Sequence, residues 1–163
     1  MPWTTNVLVV ANVTATSPEL LGALVSKAES GPARFRLVIP SSPVAGGRQV
    51  AEKQLSDALE RLHAAGLVVE GTVGSIDPVV AVSDEWDPRT YDEVVISTLP
   101  MGVSKWLHAG LPERVERLTG ARVTHVVAQP PKPAPQVRPV AERASLGVMT
   151  PLSVLSWGGR RDR

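Results

Sequence analysis

The stretch Asn6-Val7-Leu8-Val9-Val10-Ala11, near the N-terminus, decides the fold class of this chain. Its five apolar residues follow one another without polar alternation, which is typical of a strand that is buried on both faces. A sheet with two buried faces needs helices on each side, and its strands are then usually parallel. The stretch therefore predicts a central strand of a parallel sheet with helical crossovers.

A helix signal comes soon after this strand. Ser17 has the side chain of an N-cap, and Pro18 suits the first helical position. Apolar residues then recur at helical spacing and predict one buried face: Leu20, Leu21, Leu24, Val25 and Ala28. Gly31-Pro32 predicts the end of this helix.

The same alternation of strand and helix signals continues to residue 128. Further strands are predicted at residues 34–39, 67–73, 91–97 and 122–128. Further helices are predicted after Gly46-Gly47 as far as Gly66, after Asp77 for about two turns, and at residues 111–118. Five strands with helical crossovers predict an α/β three-layer sandwich with a mostly parallel sheet.

The composition limits the class of protein. The 163 residues suffice for one domain with a sizeable core, and the absence of cysteine excludes disulfide scaffolds, thiolate zinc sites and cysteine nucleophiles. Without a signal-peptide pattern or a run of about 18 apolar residues, we expect a soluble, cytoplasmic protein with no membrane partner. A net charge of +1 and only six aromatic residues give no case for a nucleic-acid partner.

The C-terminal segment differs from the rest of the chain. Residues 129–163 contain six of the 15 prolines and carry a net charge of +4, against −3 for residues 1–128. The boundary falls at a proline-rich stretch that is typical of a polyproline spacer. We therefore predict an α/β domain at 1–128 and a Pro-rich basic extension at 129–163. The apolar run at 146–157 predicts that the extension packs on the core or on a partner subunit.

Five segments occur in the order and spacing of one known family. Val73-Gly74-Ser75-Ile76-Asp77-Pro78-Val79-Val80-Ala81-Val82 resembles a strand-to-helix stretch G-D-P-x-x-A-I, and Tyr91-Asp92-Glu93-Val94-Val95-Ile96-Ser97 resembles a strand x-D-L-I-V-x-G. Gly102-Val103-Ser104-Lys105-Trp106-Leu107 resembles a loop G-G-L-S-R-L-L, and Glu113-Arg114-Val115 resembles a helix motif S-E-R-V. Residues 119–127 resemble a closing strand x-A-x-x-P-V-L-V-V. These are motifs of the universal stress proteins, and residues 5–128 resemble that family.

The resemblance has definite implications for fold and ligand. It implies the strand order 3-2-1-4-5 of the adenine nucleotide alpha hydrolase-like fold, and a homodimer built on the last strand. It also implies ATP or another adenine nucleotide as the candidate ligand, because some members of the family bind ATP. We treat these properties as expectations to be compared with the structure.

Two features of the sequence depart from the ATP-binding members. Those members carry G-x2-G-x9-G-(S/T/N) after the fourth strand, where glycines let backbone N–H groups approach the phosphates. With Gly110 as the third glycine, the first two positions are Ser97 and Pro100, and Pro100 lacks an N–H. The alternative register, set from the helix motif, places Ile96, Leu99 and Ala109 at the three positions. The aspartate that members commonly have after the first strand is Asn12 here, which offers no carboxylate.

Candidate ligand contacts follow from the topology. Ligands of parallel sheets bind beyond the carboxyl ends of the strands, where the strand order reverses. We therefore expect a nucleotide or other small anionic ligand to contact residues after the first and fourth strands: Asn12, Ser97, Thr98, Gly102, Ser104, Lys105 and Gly110. Asn12 would face the base or ribose, and the donors of the loop 98–110 would face the phosphates. His108 shares this loop and is a further candidate contact for an anion.

Other catalytic or metal-binding patterns are weak. The hydroxyl cluster Thr14-Ala15-Thr16-Ser17 is better explained by helix capping than by a phosphate loop. His63 and His125 lack metal-ligand spacing and are expected to have structural or surface roles. No sequence motif arranges a nucleophile beside a base, so we expect no enzyme activity beyond slow ATP hydrolysis.

Two functions are consistent with the sequence. The first is a stress-response module that binds a nucleotide or a similar anion in the loop after the fourth strand. The alternative is a regulatory or structural homodimer without ligand binding, which uses Trp106, the last strand and the extension as contact surfaces. Nucleotide that survives purification would distinguish the first function from the second.

Overall fold

Strands and helices alternate along the chain. The computed structural model describes residues 2–130. The strands of this part are β1 Thr5–Val10, β2 Ala33–Pro40, β3 Val69–Gly74, β4 Glu93–Thr98 and β5 Arg122–Val127. Its helices are α1 Pro18–Ser30, α2 Gly47–Ala64, α3 Pro78–Glu85, α4 Lys105–His108 and α5 Leu111–Thr119. All but two residues of the predicted extension at 129–163 lie outside the described residues, and so does its apolar run.

The five strands form one parallel sheet. Its order is β3-β2-β1-β4-β5, so β1 lies at the centre and pairs with both β2 and β4. The chain enters the sheet at β1, moves outward to β3, and then crosses back to β4 on the other side of β1. The predicted α/β class and the strand order 3-2-1-4-5 are therefore confirmed.

Alternating side chains of β1 supply two separate cores. Val7 and Val9 face the core covered by α1 and α2, which contribute residues such as Leu24 and Leu62. Leu8 and Val10 face the core covered by α3 and α5, whose buried residues are Ala81, Val82, Leu111 and Val115. All four β1 side chains are fully buried. The three layers explain why this strand is apolar without alternation.

Two helix starts agree with the cap signals of the sequence. Ser17 Oγ accepts a hydrogen bond from the Leu20 amide at 3.2 Å, with Pro18 as the first residue of α1. Asp77 Oδ1 accepts from the Val79 amide at 2.8 Å, with Pro78 as the first residue of α3. Both caps satisfy amides that have no partner inside the helix.

Two local predictions need correction. The strand predicted at 34–39 extends to Pro40, because Pro40 lies beyond the residues that pair with β1 and its missing N–H interrupts no ladder with that strand. The predicted loop 98–110 contains the one-turn helix α4, whose first turn is capped by Ser104 Oγ at 3.4 Å from the Leu107 amide. No helix within residues 2–130 is long and apolar enough to cross a membrane.

The single tyrosine supplies a test of packing in the second core. Tyr91 stacks on Trp86, with ring centroids 6.0 Å apart and the ring planes 25° from parallel. Burial raises the pKa of Tyr91 above its ordinary value of 10.0, and the nearby Arg36 guanidinium offsets only part of this rise. Carboxylates that include Glu85 raise the pKa further.

We therefore expect Tyr91 to ionise at a higher pH in the native protein than in urea-unfolded protein. Because the folded-state pKa is raised, the stability contributed by the neutral phenol is complete below pH 10 and is lost as the pH rises through the folded-state pKa. Phenolate absorbance, titrated in the two states, measures both midpoints. Equal titration midpoints in the two states, or a native midpoint at lower pH than the unfolded one, would contradict the burial of this ring.

Candidate functional site

A cavity opens where the strand order reverses. It has a volume of about 290 Å³ and lies at the carboxyl ends of β1 and β4. Its lining residues come from the ends of these two strands and from the segment that leads into α4: Asn12, Val13, Thr14, Ser97, Thr98, Leu99, Val103, Ser104, Lys105 and Trp106. This edge of a parallel sheet is the usual position of a ligand.

The structure brings together five of the seven residues predicted from the sequence. Asn12, Ser97, Thr98, Ser104 and Lys105 line the cavity, although 85 to 93 positions separate Asn12 from the others. The remaining two, Gly102 and Gly110, and the further candidate His108 are not among its lining residues. Whether any of the seven contacts a ligand stays a prediction.

The two glycines have different local environments. Gly102 lies exposed in a turn with open space around it, and its backbone is not left-handed. Gly110 has φ +65° and precedes the first residue of α5, so it occupies a conformation that other residues adopt only with strain. The structure therefore gives Gly110 a role in the turn before α5.

Buried residues with hydroxyl groups line the cavity: Thr14, Ser97, Thr98 and Ser104. The Thr14 hydroxyl donates to the carbonyl oxygen of Ser97 at 3.1 Å, which ties the β1 loop to the end of β4. The Ser97 residue is 1% exposed, and its own hydroxyl oxygen has no hydrogen-bond partner within residues 2–130. A buried polar atom without a partner costs free energy, about 1–3 kcal/mol.

His125 is hydrogen-bonded to Thr98 of the cavity. The Thr98 hydroxyl lies 2.7 Å from His125 Nε2, where the tautomer of the imidazole decides which group donates, and 2.9 Å from the Leu99 carbonyl oxygen. His63 Nε2 lies 2.8 Å from the Val69 carbonyl oxygen, on the other side of the sheet. Both histidines therefore have structural partners, in agreement with the roles expected from the sequence.

The walls of the cavity are apolar, and sequence reasoning did not identify them. Val13, Leu99, Val103 and Trp106 line it beside the residues with hydroxyl groups. Val13 and Val103 are 61% and 58% exposed, an unusual degree for valine side chains flanking one cavity. In the sequence, Val13 follows Asn12 and Val103 precedes Ser104, and this adjacency to predicted polar contacts is the signal that could have identified them.

The segment after β4 uses many of its amides internally. The Val103 and Ser104 amides both donate to the Pro100 carbonyl oxygen at 2.9 Å. The Ala109 and Gly110 amides donate to carbonyl oxygens within α4 at 3.1 Å. The turn and helix α4 therefore consume amides that an open phosphate-binding loop would direct at its ligand.

A smaller cavity adjoins the first on the other side of β1. It has a volume of about 180 Å³ and shares Asn12 and Val13 with the larger one. Its other lining residues come from the end of β2 and the start of α2: Pro40, Ser42, Gly47, Val50, Ala51 and Gln54. Asn12 therefore stands between two adjacent cavities at the carboxyl edge.

Another cavity lies at the opposite edge of the sheet. It has a volume of about 470 Å³ and includes residues near the amino ends of β1, β2 and β3. Arg36, on its wall, is neutralised by Glu85 at 3.2 Å and Glu70 at 3.4 Å. Its position is unusual for a ligand of a parallel sheet, so we assign the candidate site to the carboxyl edge. No group of three or more potential metal ligands occurs in this part of the chain.

Solved structures of universal stress proteins are similar to this chain. A universal stress protein from Archaeoglobus fulgidus in complex with dAMP has a TM-score of 0.56 at 16% identity, over 77% of this chain and 99% of its own. A family protein from Arabidopsis thaliana with AMP bound has a TM-score of 0.53 at 13% identity, over 76% and 92%. A universal stress protein in complex with cAMP has a TM-score of 0.53 at 22% identity, over 76% and 97%.

These similarities concern the fold. The sequence matches no protein-family model and no curated protein. The parallel sheet, its strand order and the helices on both of its faces are shared with the solved structures. The protein therefore has the universal stress protein fold that its sequence motifs predict.

Proposed function

We propose that this chain is a universal-stress-protein-like stress-response module that binds an adenine nucleotide at the carboxyl ends of β1 and β4. The observation that carries the proposal is Ser97, which lines the cavity and whose buried hydroxyl lacks a partner among the described residues. A bound ligand would satisfy this oxygen and remove the cost of its burial.

Other residues of the cavity fit the same ligand class. Lys105 supplies a positive charge for a phosphate, and the Asn12 amide can both donate and accept hydrogen bonds. Trp106 offers an aromatic surface to a base. Three proteins of the same fold were solved with cAMP, AMP or dAMP, which supports an adenine nucleotide as the first ligand to test.

Thermal unfolding of the full chain tests the proposal. We expect at least one of AMP, ADP and ATP at millimolar concentration to raise the Tm. A ligand at about 100 times its Kd adds about 2.7 kcal/mol, which corresponds to roughly 5–10 °C for a domain of this size. Inorganic phosphate at the same ionic strength is the control. An unchanged Tm with all three nucleotides would contradict the proposal.

The alternative function is a regulatory or structural homodimer without a ligand. One observation favours it: β5 is an edge strand of the sheet formed by residues 2–130, and Val127 on it is 42% exposed. Edge strands with free amides can pair with a second copy. A dimeric mass in light scattering, together with an unchanged Tm in every nucleotide, would favour this alternative.

A further inference from the structure

The size of the cavity limits what it can hold. Its volume of about 290 Å³ is just below the range of about 300–1,000 Å³ that is usual for ligand pockets. A small ligand, or one part of a larger ligand, would fill it.

The charge of the cavity limits the ligand further. Among the ten residues within 2–130 that line the cavity, Lys105 is the one cation, and none is a carboxylate that could hold a magnesium ion. Sites for triphosphates neutralise the several negative charges of the ligand with a metal ion and several donors. One lysine can compensate about one such charge, which suits a single phosphate.

The hydrogen bonds of the segment after β4 also favour a single phosphate. Amides of Val103, Ser104, Ala109 and Gly110 already donate to carbonyl oxygens of the same segment. Pro100 has no N–H to offer. The segment therefore has fewer free amide N–H groups with which to bind a second and a third phosphate.

The remaining surface favours a compact, largely apolar ligand body. Val13, Leu99, Val103 and Trp106 line the cavity together with Ser97, whose buried hydroxyl has no partner within residues 2–130. We infer that the site takes an adenine nucleoside or its monophosphate and discriminates against the triphosphate. This inference rests on the proposed function and narrows its ligand. Lys105 pairs with the single phosphate, and Ser97 Oγ hydrogen-bonds to the end of the ligand that enters the cavity.

Calorimetric titration of the full chain with adenosine, AMP and ATP tests the inference. We expect AMP to bind at least tenfold more tightly than ATP, with and without magnesium. Equal or tighter binding of ATP would overturn the inference while the proposed function stands. Absence of binding by all three ligands would overturn the proposed function itself.

Two variants separate the roles of the two polar residues. Lys105→Met is expected to weaken AMP binding until its affinity equals that of adenosine. The affinity for adenosine itself should stay unchanged. Ser97→Ala is expected to lower the affinity for AMP and for adenosine about five- to tenfold, since each complex loses one hydrogen bond. Ser97→Ala should leave the Tm of the free protein unchanged or raised, because the hydroxyl lacks a partner within residues 2–130.

The matched control is Lys53→Met, which removes a lysine of α2 that does not line the cavity. It should change none of the three affinities. A Lys105→Met protein that keeps its preference for AMP over adenosine would overturn the role of Lys105. Unchanged affinities in Ser97→Ala would overturn the role of its hydroxyl.

Discussion

Replacing Gly47 by alanine is expected to destabilise the protein by about 2–3 kcal/mol. A Cβ at this position would lie 2.1 Å from the carbonyl oxygen of Ser42 and 2.8 Å from its carbonyl carbon. Gly47 is buried, and the atoms it would strike belong to backbone, which cannot rotate away as a side chain can. The segment between β2 and α2 would have to move.

The midpoint of urea unfolding measures this loss, when the dependence of the unfolding free energy on urea concentration is taken as the same in wild type and variant. Gly22→Ala is the matched control, because Gly22 is exposed in the middle of α1 and, apart from its own helix backbone, no atom of residues 2–130 lies within 4 Å of an added Cβ. Alanine is the better helix former there, so this control should be stabilised by about 0.5–1 kcal/mol. Urea midpoints that shift in the same direction in both variants would contradict the close approach of the Ser42 backbone to Gly47.

Replacing Lys27 by methionine is expected to cost about 2–3 kcal/mol of stability. Lys27 Nζ lies 2.6 Å from Glu93 Oε1, and the two side chains are 24% and 11% exposed. Removing the lysine leaves the Glu93 carboxylate in a largely buried position at the start of β4 without its cation. The cost falls below that of a fully buried pair because Lys27 keeps some contact with water.

A double-mutant cycle with Glu93→Gln isolates the pair. The double variant should recover part of the loss, since it no longer buries an uncompensated charge. Lys53→Met is the control, because Lys53 lies at the same 2.6 Å from Asp57 Oδ2 but the side chains are 78% and 50% exposed. It should change stability by less than about 0.5 kcal/mol. Equal losses in the two lysine variants would show that burial does not matter at Lys27.

Much of the fold could be predicted from local signals. The uninterrupted apolar run of β1 indicated a sheet covered on both faces, and cap residues such as Ser17 and Asp77 marked helix starts that the structure shares. The strand order could not be derived from periodicity, because a hydrophobic pattern does not specify which strands are neighbours. The expected strand order came from the resemblance to universal stress proteins, and the pairing of β1 with β4 agrees with that order.

The candidate site was predicted only in part, for identifiable physical reasons. Asn12 and Ser97 were found because the ends of parallel strands meet at one edge. The four-residue helix α4 was missed, since one turn is too short to show helical periodicity. That the Ser97 hydroxyl has no partner within the described part of the chain depends on its surroundings across the fold, including Thr14, which lies 83 positions earlier. Sequence patterns do not record such contacts.

The central position of β1 has a consequence for how the domain unfolds. Val7 and Val9 belong to one core, whereas Leu8 and Val10 belong to the other, so the same short strand anchors both helical layers. Neither layer can detach without exposing side chains of a strand that the other layer needs. The α/β unit should therefore melt as one cooperative transition, and the amides of β1 should exchange with solvent only when the whole unit opens.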